Sequence, residues 1–461
     1  MKSVKFFAMF VAAAVFALSS CEKTPEGGEQ GGNETALGTA AELESLTLVS
    51  GDISIDGFFT GKTVEIAYRA NQYDALAEAT ATVKISDGAT IEPDPATPRD
   101  YTVDGGVTFT VTSEDGNTTN EYTVTLIEAV SVITGELTWD KSVGELGLPA
   151  YSYANVGVAF SGTHIVTYDA QVFDLTGAPV GKLNLTGVEG SDAEGFQLAA
   201  LTNDNNGVLV ASVGLDASGA YVPSNPTQTR FYAWMDGYDS APTLIHSDSA
   251  NNFCVYMSVA GDVKGDAVLT FVAGRGATQM HHVWLVKNGD WENKVWSSVT
   301  TQYPGNDGNW GQALSFFDGT NDGAAATSPF IVCDSRGNNE GIQVLYMENG
   351  IETRLMGSLE EGELAGFGDL YGNYSTGSAK ALLIDGVPYV AVASSGWTQV
   401  YLTIQPVDPN ADYIIPTVAY SGAEVFPSVG AYYDTESGNV YVAMLSPNNQ
   451  IVLYTVSVQY V

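Results

Sequence analysis

The sequence predicts an all-β chain, with a β-sandwich of about 90 residues followed by a six-bladed β-propeller closed by strands from both of its ends. Three observations carry this expectation. Short runs alternate apolar and polar residues with the period of a strand. Fifty glycines punctuate those runs, as frequent tight turns require. From residue 134 onward one four-strand phrase recurs, its first strands starting about 40 to 60 residues apart.

The chain opens with Lys2 and Lys5, then an apolar run from Phe6 to Leu18, then Leu18-Ser19-Ser20-Cys21. A basic end, a short apolar middle and a small-residue cleavage site predict a signal peptide over residues 1–20. The last four residues resemble the bacterial lipobox. That resemblance implies that Cys21 is the lipid-modified start of the mature protein, with membrane lipid as a partner. Residues 21–36 are rich in Gly and Glu with almost no apolar side chain, and are expected to be a flexible tether. The acidic stretch after the cysteine resembles surface-export signals of Bacteroidota lipoproteins. It implies an outer-membrane location facing the cell exterior, the periplasmic face being the alternative.

Residues 37–128 read as short strands. Thr63 to Tyr68 places Val64, Ile66 and Tyr68 on one face, and Val107 to Thr112 alternates Val107, Phe109 and Val111 against threonines. Asp115-Gly116 marks a hairpin, and Glu121 to Leu126 is the returning strand. Pro93, Pro95 and Pro98 confine the middle to a loop or edge. These features predict an antiparallel sandwich. The segment Tyr101 to Leu126 resembles immunoglobulin- or cadherin-like modules, which adjoin the lipid anchor in many Bacteroidota surface lipoproteins that carry a C-terminal β-propeller. The resemblance implies a spacer role for this module.

Residues 134–461 carry the repeats. First strands are expected at 155–160, 196–201, 255–260, 312–317, 369–374 and 427–432. Buried second strands follow, such as Ala267 to Phe271 and Val440 to Ala443. Third strands are the most regular: Gln171 to Leu175, Arg230 to Trp234, His282 to Val286, Gln343 to Met347, Gln399 to Thr403 and Gln450 to Tyr454. A fourth, more polar strand follows in five repeats. The sixth stops at Val461, and the missing strand is available at Gly135 to Asp140. A circular array requires this, because each sheet's apolar faces are covered only by its neighbours. Five or seven blades are the alternative counts.

Charge restricts the partners. With 54 acidic and 17 basic residues the net charge is −37, which repels nucleic acid and anionic lipid surfaces. Beyond Cys21 only Cys254 and Cys333 remain, both in apolar runs, and both are expected to be buried free thiols, a disulfide between them being the alternative.

In a propeller the loops joining second to third strands, and fourth to the next first, share one end. Here they hold Tyr153, Tyr221, Arg275, His281, Tyr303, Trp310, Arg336 and Trp397. Two of the chain's six arginines, Arg275 and Arg336, fall at corresponding positions of adjacent repeats. A guanidinium fork grips a carboxylate or sulfate, and Tyr or Trp stacks on sugar rings. The competing reading is that both arginines tie loops to nearby carboxylates. Enzyme signatures are weak. His281 and His282 adjoin on a strand and so point to opposite faces, no nucleophile elbow occurs, and carboxylates are too numerous to single out a pair. Asp318 to Gly323 begins like a calcium loop, but Pro329 stands where the closing Glu belongs, so a turn is expected. No metal and no cofactor are expected. The function expected is a non-catalytic cell-surface binding protein for a polysaccharide or oligosaccharide, working beside an outer-membrane importer complex. A polysaccharide hydrolase or lyase, and a structural or protein-binding scaffold, are the alternatives.

Overall fold

The computed structural model describes residues 37–149, 157–223, 226–248, 254–273, 280–297, 313–336, 341–348, 351–357, 376–395, 399–408, 410–421, 427–446 and 449–460. Cys21, the signal segment and the tether lie outside them. Apart from one 3₁₀ segment, the regular structure of the described residues is all strand, joined by turns and loops, and no helix among them is long and apolar enough to cross a membrane. The chain divides into two compact units, up to Glu128 and from Ala129 to Val461.

In the first unit, β1 (Leu43–Ser50), β2 (Ile53–Asp56), β3 (Phe58–Thr60), β4 (Thr63–Tyr68), β5 (Thr80–Ile85), β6 (Thr90–Glu92), β7 (Val107–Thr112) and β8 (Thr119–Glu128) make two sheets. Their orders are β2-β1-β5 and β3-β4-β8-β7-β6. Leu46, Leu48, Val64, Ile66, Phe109, Val111 and Val124 form one buried cluster between them, so the alternation read from the sequence places the core. The sandwich is not wholly antiparallel as expected: β4 and β8 run parallel, Val64 opposite Val124. Strands so far apart in sequence need no hairpin between them, and so no fixed antiparallel sense. A 3₁₀ segment, Ala70–Glu78, joins β4 to β5 and was not expected.

In the second unit four strands at a time form antiparallel sheets in sequential order. The first sheet is β10 (Val158–Ser161), β11 (His164–Thr167), β12 (Gln171–Phe173) and β13 (Pro179–Lys182). The second is β14 (Ala200–Asn203), β15 (Leu209–Leu215), β16 (Gln228–Trp234) and β17 (Thr243–Asp248). The third is β18 (Cys254–Gly261), β19 (Ala267–Ala273), β20 (Met280–Val286) and β21 (Val295–Ser297). The fourth is β22 (Ala313–Phe316), β23 (Phe330–Arg336), β24 (Gly341–Glu348) and β25 (Ile351–Gly357). The fifth is β26 (Thr376–Ile384), β27 (Val387–Ser395), β28 (Gln399–Pro406) and β29 (Ile415–Ser421). The last is β30 (Ser428–Tyr433), β31 (Val440–Ser446) and β32 (Gln450–Tyr460), completed by the earliest strand of the unit, β9 (Ser131–Ser142). Leu453 lies opposite Trp139 and Val452 opposite Asp140. Two expectations are corrected. The first strand of the second sheet is Ala200–Asn203, not 196–201, because the N–H groups of Gln197 and Leu198 go to the Tyr221 hydroxyl and the Tyr168 carbonyl rather than to a ladder. The first strand of the fifth sheet is Thr376–Ile384, not 369–374, a segment outside the described residues. Lys380 stands in the middle of that strand and breaks its apolar run.

The six first strands neighbour one another in a cycle, β10 to β14, β18, β22, β26, β30 and back to β10. Each is the edge of its sheet, and an edge strand leaves N–H and C=O groups without ladder partners. Buried, these must be satisfied some other way. Side chains of the neighbouring first strand do it. The Val158 N–H donates to Ser428 Oγ (3.3 Å), the Val429 N–H to Ser378 Oγ (3.3 Å) and the Ala381 N–H to Ser315 Oγ (3.0 Å). Ser315 and Ser258 share a hydrogen bond of 3.0 Å. The Phe160 N–H donates to Asn203 Oδ1 (3.0 Å), and Asn203 Nδ2 donates on to the Ala431 carbonyl (2.8 Å).

Candidate functional site

The end of the sheets where β15–β16 and β13–β14 meet is the end the sequence marks for binding. Tyr221 is there, between β15 and β16. Its ring packs on Phe196 with centroids 5.0 Å apart, and its hydroxyl accepts the Gln197 N–H (3.0 Å). Tyr221 thus joins two loops at one end of the second sheet and is half-buried in doing so. Two of the expected loop residues are in strands instead: His281 lies in β20 opposite Val272, and Arg336 is the last residue of β23, opposite Gly341, because the ladder between second and third strands runs further than the apolar pattern does; their side chains lie outside the described residues. So do Tyr153, Arg275, Tyr303, Trp310 and Trp397.

The centre of the cycle is filled. Lys380 is buried, and its Nζ donates to the carbonyls of Asn203 (3.0 Å) and Val259 (2.8 Å), bridging the second and third sheets from the fifth. Burial pulls its pKa down to about 8, partly offset by the Asp204 carboxylate. Asp204 is itself buried. It accepts the N–H groups of Asn206, Val208 and Val263, yet desolvation still pushes its carboxyl up. Above Lys380 a cavity of about 20 Å³ remains, lined by Thr202, Ser258, Ser378 and Ser428 among others. That is room for about one water molecule, so no sugar enters at this level.

Between the second and third sheets lies an aromatic nest that sequence reading missed. Phe231, Phe271, His282 and Trp284 pack at 4.7 to 4.9 Å, with His282 stacked on Phe271. His246 meets Trp284 edge-on at 4.8 Å, and Trp296 closes the group at 5.1 Å from Trp284. Burial and the nearby Lys294 pull the His246 imidazole down to about 4, and burial lowers His282 as well. Both rings are therefore neutral at pH 7. Trp296 keeps 45% of its surface exposed and offers a flat apolar face of the kind that stacks on a pyranose. Its only sequence signal was a Trp in a fourth strand expected to be polar. Among the described residues no group of three or more His, Cys, Asp or Glu is placed to hold a metal ion. Cys333 is buried; the Cys254 side chain lies outside the described residues. Asp318 to Ala325 is a set of turns capped by carboxylate and amide oxygens of Asp318, Asn321 and Asp322, linking β22 to β23.

Residues 53–126 match the family model described as SGBP, N-terminal. No curated protein matches the chain. Among solved structures, a DUF4623 family protein from Bacteroides eggerthii is 12% identical, covering 91% of this chain and 99% of its own, with a TM-score of 0.47. A putative glycoside hydrolase from Bacteroides thetaiotaomicron covers 92% of each chain at 10% identity and a TM-score of 0.18. A PL25 ulvan lyase covers 68% of this chain and 95% of its own at 12% identity and a TM-score of 0.33. At such scores these likenesses carry no argument about function.

Proposed function

We propose that this protein is a lipid-anchored, cell-surface glycan-binding protein that does not cleave what it binds. The observation that carries the proposal is the match of residues 53–126 to the N-terminal region of the SGBP, or surface glycan-binding protein, family. In this reading residues 1–20 are the signal peptide, Cys21 carries the lipid, 21–36 are the tether, 37–128 are an Ig-like sandwich, and 134–461 are a six-bladed propeller. Support for six blades comes from the sequential strand order, the cycle of first strands and the joining of β9 to β32. The glycan is held at the end of the sheets that carries Tyr153, Tyr221, Arg275, Tyr303, Trp310 and Trp397 in loops, with His281 and Arg336 at the adjoining strand ends. The protein passes its glycan to an outer-membrane importer complex.

The test is a screen of the soluble form lacking residues 1–34 against plant, host and microbial polysaccharides by affinity electrophoresis, with product analysis of the same mixtures. Retardation by at least one polysaccharide without new reducing ends is expected, as is weaker retardation for Trp310→Ala and Trp397→Ala. Appearance of shortened products would replace the binding reading with a hydrolase or lyase. No retardation and no products would end both. For the anchor, Cys21→Ser should move the protein from the membrane fraction to the soluble one; retention in the membrane would refute lipidation at Cys21.

A further inference from the structure

The opposite end of the sheets, formed by the turns between first and second and between third and fourth strands, carries a groove that the sequence reading did not consider. Two clefts lie side by side there. The first, about 620 Å³, is walled by His164, Tyr238, Asp236 and Lys264 over a floor that includes Val208 and Met235. The second, about 420 Å³, is bounded by Asp266, Lys287, Gly319 and Thr320. Asn206 and Asp262 line both, so the clefts are continuous across the ends of the first four sheets. Each is within the roughly 300–1,000 Å³ that small-ligand sites occupy.

The groove is built. At Gly261 a Cβ would stand 2.4 Å from the Asp266 carbonyl and 2.5 Å from Gly319 Cα, and one at Gly319 would stand 2.3 Å from the same carbonyl. Only paired glycines let the two connections approach so closely and leave an open floor between them. The Asn205 N–H donates to the Gly261 carbonyl (3.2 Å) and ties the two clefts together from below. The loop bearing Tyr238 is pinned by Asn184, whose N–H donates to the Tyr238 carbonyl (2.8 Å) and whose Nδ2 donates to the Asp239 carbonyl (2.8 Å).

The chemistry of the lining selects a ligand class. The His164 and Tyr238 rings, 4.8 Å apart and tilted by 50°, present a bent apolar wall to the C–H face of a sugar. The Tyr238 hydroxyl and the Asn206 side-chain amide form no hydrogen bond with the described residues, and between them they offer donors and acceptors for hydroxyl groups. Both lysines are already engaged, Lys264 with Asp236 (3.0 Å) and Lys287 with Asp266 (2.7 Å). Asp239 and Asp262 leave the groove with an excess of carboxylates, which repels uronic acids and sulfated sugars. Two adjoining clefts suit a chain running through, rather than a single sugar or a chain end.

We infer that this groove binds an internal stretch of a neutral polysaccharide, with Tyr238 and Asn206 as principal contacts. The inference rests on the proposed glycan-binding function and deepens it by adding a second site at the opposite end of the sheets. The test is calorimetric titration of the full chain in detergent with neutral gluco-, manno-, xylo- and galacto-oligosaccharides, from disaccharide to hexasaccharide, with oligogalacturonides alongside. Binding of a neutral series that tightens with length is expected. Tyr238→Ala should weaken the longest member at least about tenfold. Asn206→Ala should weaken it less, and Thr320→Trp, which fills the second cleft from an exposed position, should remove the gain from lengthening. Circular dichroism melts separate lost binding from lost folding, and should Tyr238→Ala unfold, the other two variants carry the test. Unchanged affinities in folded variants overturn the groove while the proposed function stands, and a response to acidic oligosaccharides alone does the same. No binding of any oligosaccharide overturns the groove; if no polysaccharide retards the soluble form either, the proposed function falls with it.

Discussion

Lys380 is a cation buried among the first strands, with hydroxyl groups lining the small cavity beside it and the Asp204 carboxylate near enough to act on it. Two carbonyls accept its hydrogen bonds, and burial still lowers its pKa, with Asp204 acting in the opposite sense. The sign of the linkage follows. The unfolded chain holds this proton up to the ordinary value of 10.5 and the folded chain only to about 8. Between those values the unfolded state binds more protons, so stability rises with pH. Lys380→Met leaves two buried carbonyls orphaned, at a cost of about 1–3 kcal/mol each, partly offset by relief of the buried charge. Urea titrations should find the variant less stable at pH 7.5, with the gap widening by about 2 kcal/mol by pH 9.5. A constant gap would mean that the amine does not lose its proton in place. His246 works in the acid range. Its folded pKa, about 4 against 6.5, means that the unfolded chain takes up the proton first as pH falls, so stability declines between those values. His246→Phe keeps the ring packing and removes the titration. Its melting temperature should fall less steeply than the wild type's from pH 6.5 to 4, and parallel curves would contradict this.

At the scale of strands, what was readable was periodicity, and what was hidden was polarity out of place. The third strands and the joining of Gly135–Asp140 to the sixth sheet could be read because alternation and an odd strand count are properties of the chain itself. The first strands were harder. Their serines and Asn203 answer to a neighbouring sheet, and only the assembled cycle shows why Ser258, Ser315, Ser378 and Ser428 interrupt apolar runs. Lys380 interrupts the fifth one for the same reason, its Nζ reaching the second and third sheets. The candidate loop residues were nominated by residue type, and of their side chains only that of Tyr221 is described. The groove around Tyr238 escaped notice because its lining comes from four sheets and no single segment carries it. The edge strand β9 offers a direct test of packing between sheets. A Cβ at Gly135 would lie 2.5 Å from Ile415 Cδ1 and 2.8 Å from Ile414 Cγ2 on the fifth sheet. Gly135→Val should cost about 1–3 kcal/mol by overpacking, read as a lower urea midpoint at unchanged slope.

At the scale of the molecule, two compact units have separate hydrophobic clusters, and each is large enough to unfold as its own cooperative step. All seven tryptophans lie beyond Glu128. Tryptophan fluorescence therefore follows the second unit alone, whereas far-ultraviolet circular dichroism follows strands in both. Denaturant curves from the two probes should not coincide, and the residues 37–128 transition should appear only by dichroism. Superimposable curves would mean that the units unfold together.

The pairing of β9 with β32 also sets a timetable. Thr138 and Thr455 share a 2.6 Å hydrogen bond across 317 residues. While the chain is being made, β9 emerges some three hundred residues before β32 and waits for it. Until then a long strand with two bare edges is open to wrong partners, its own later hairpins included. Contacts between such distant residues also close slowly. The second unit therefore has reason to stay unfolded until β32 is available, and the seam that completes its last sheet is the point at which its assembly most easily goes astray.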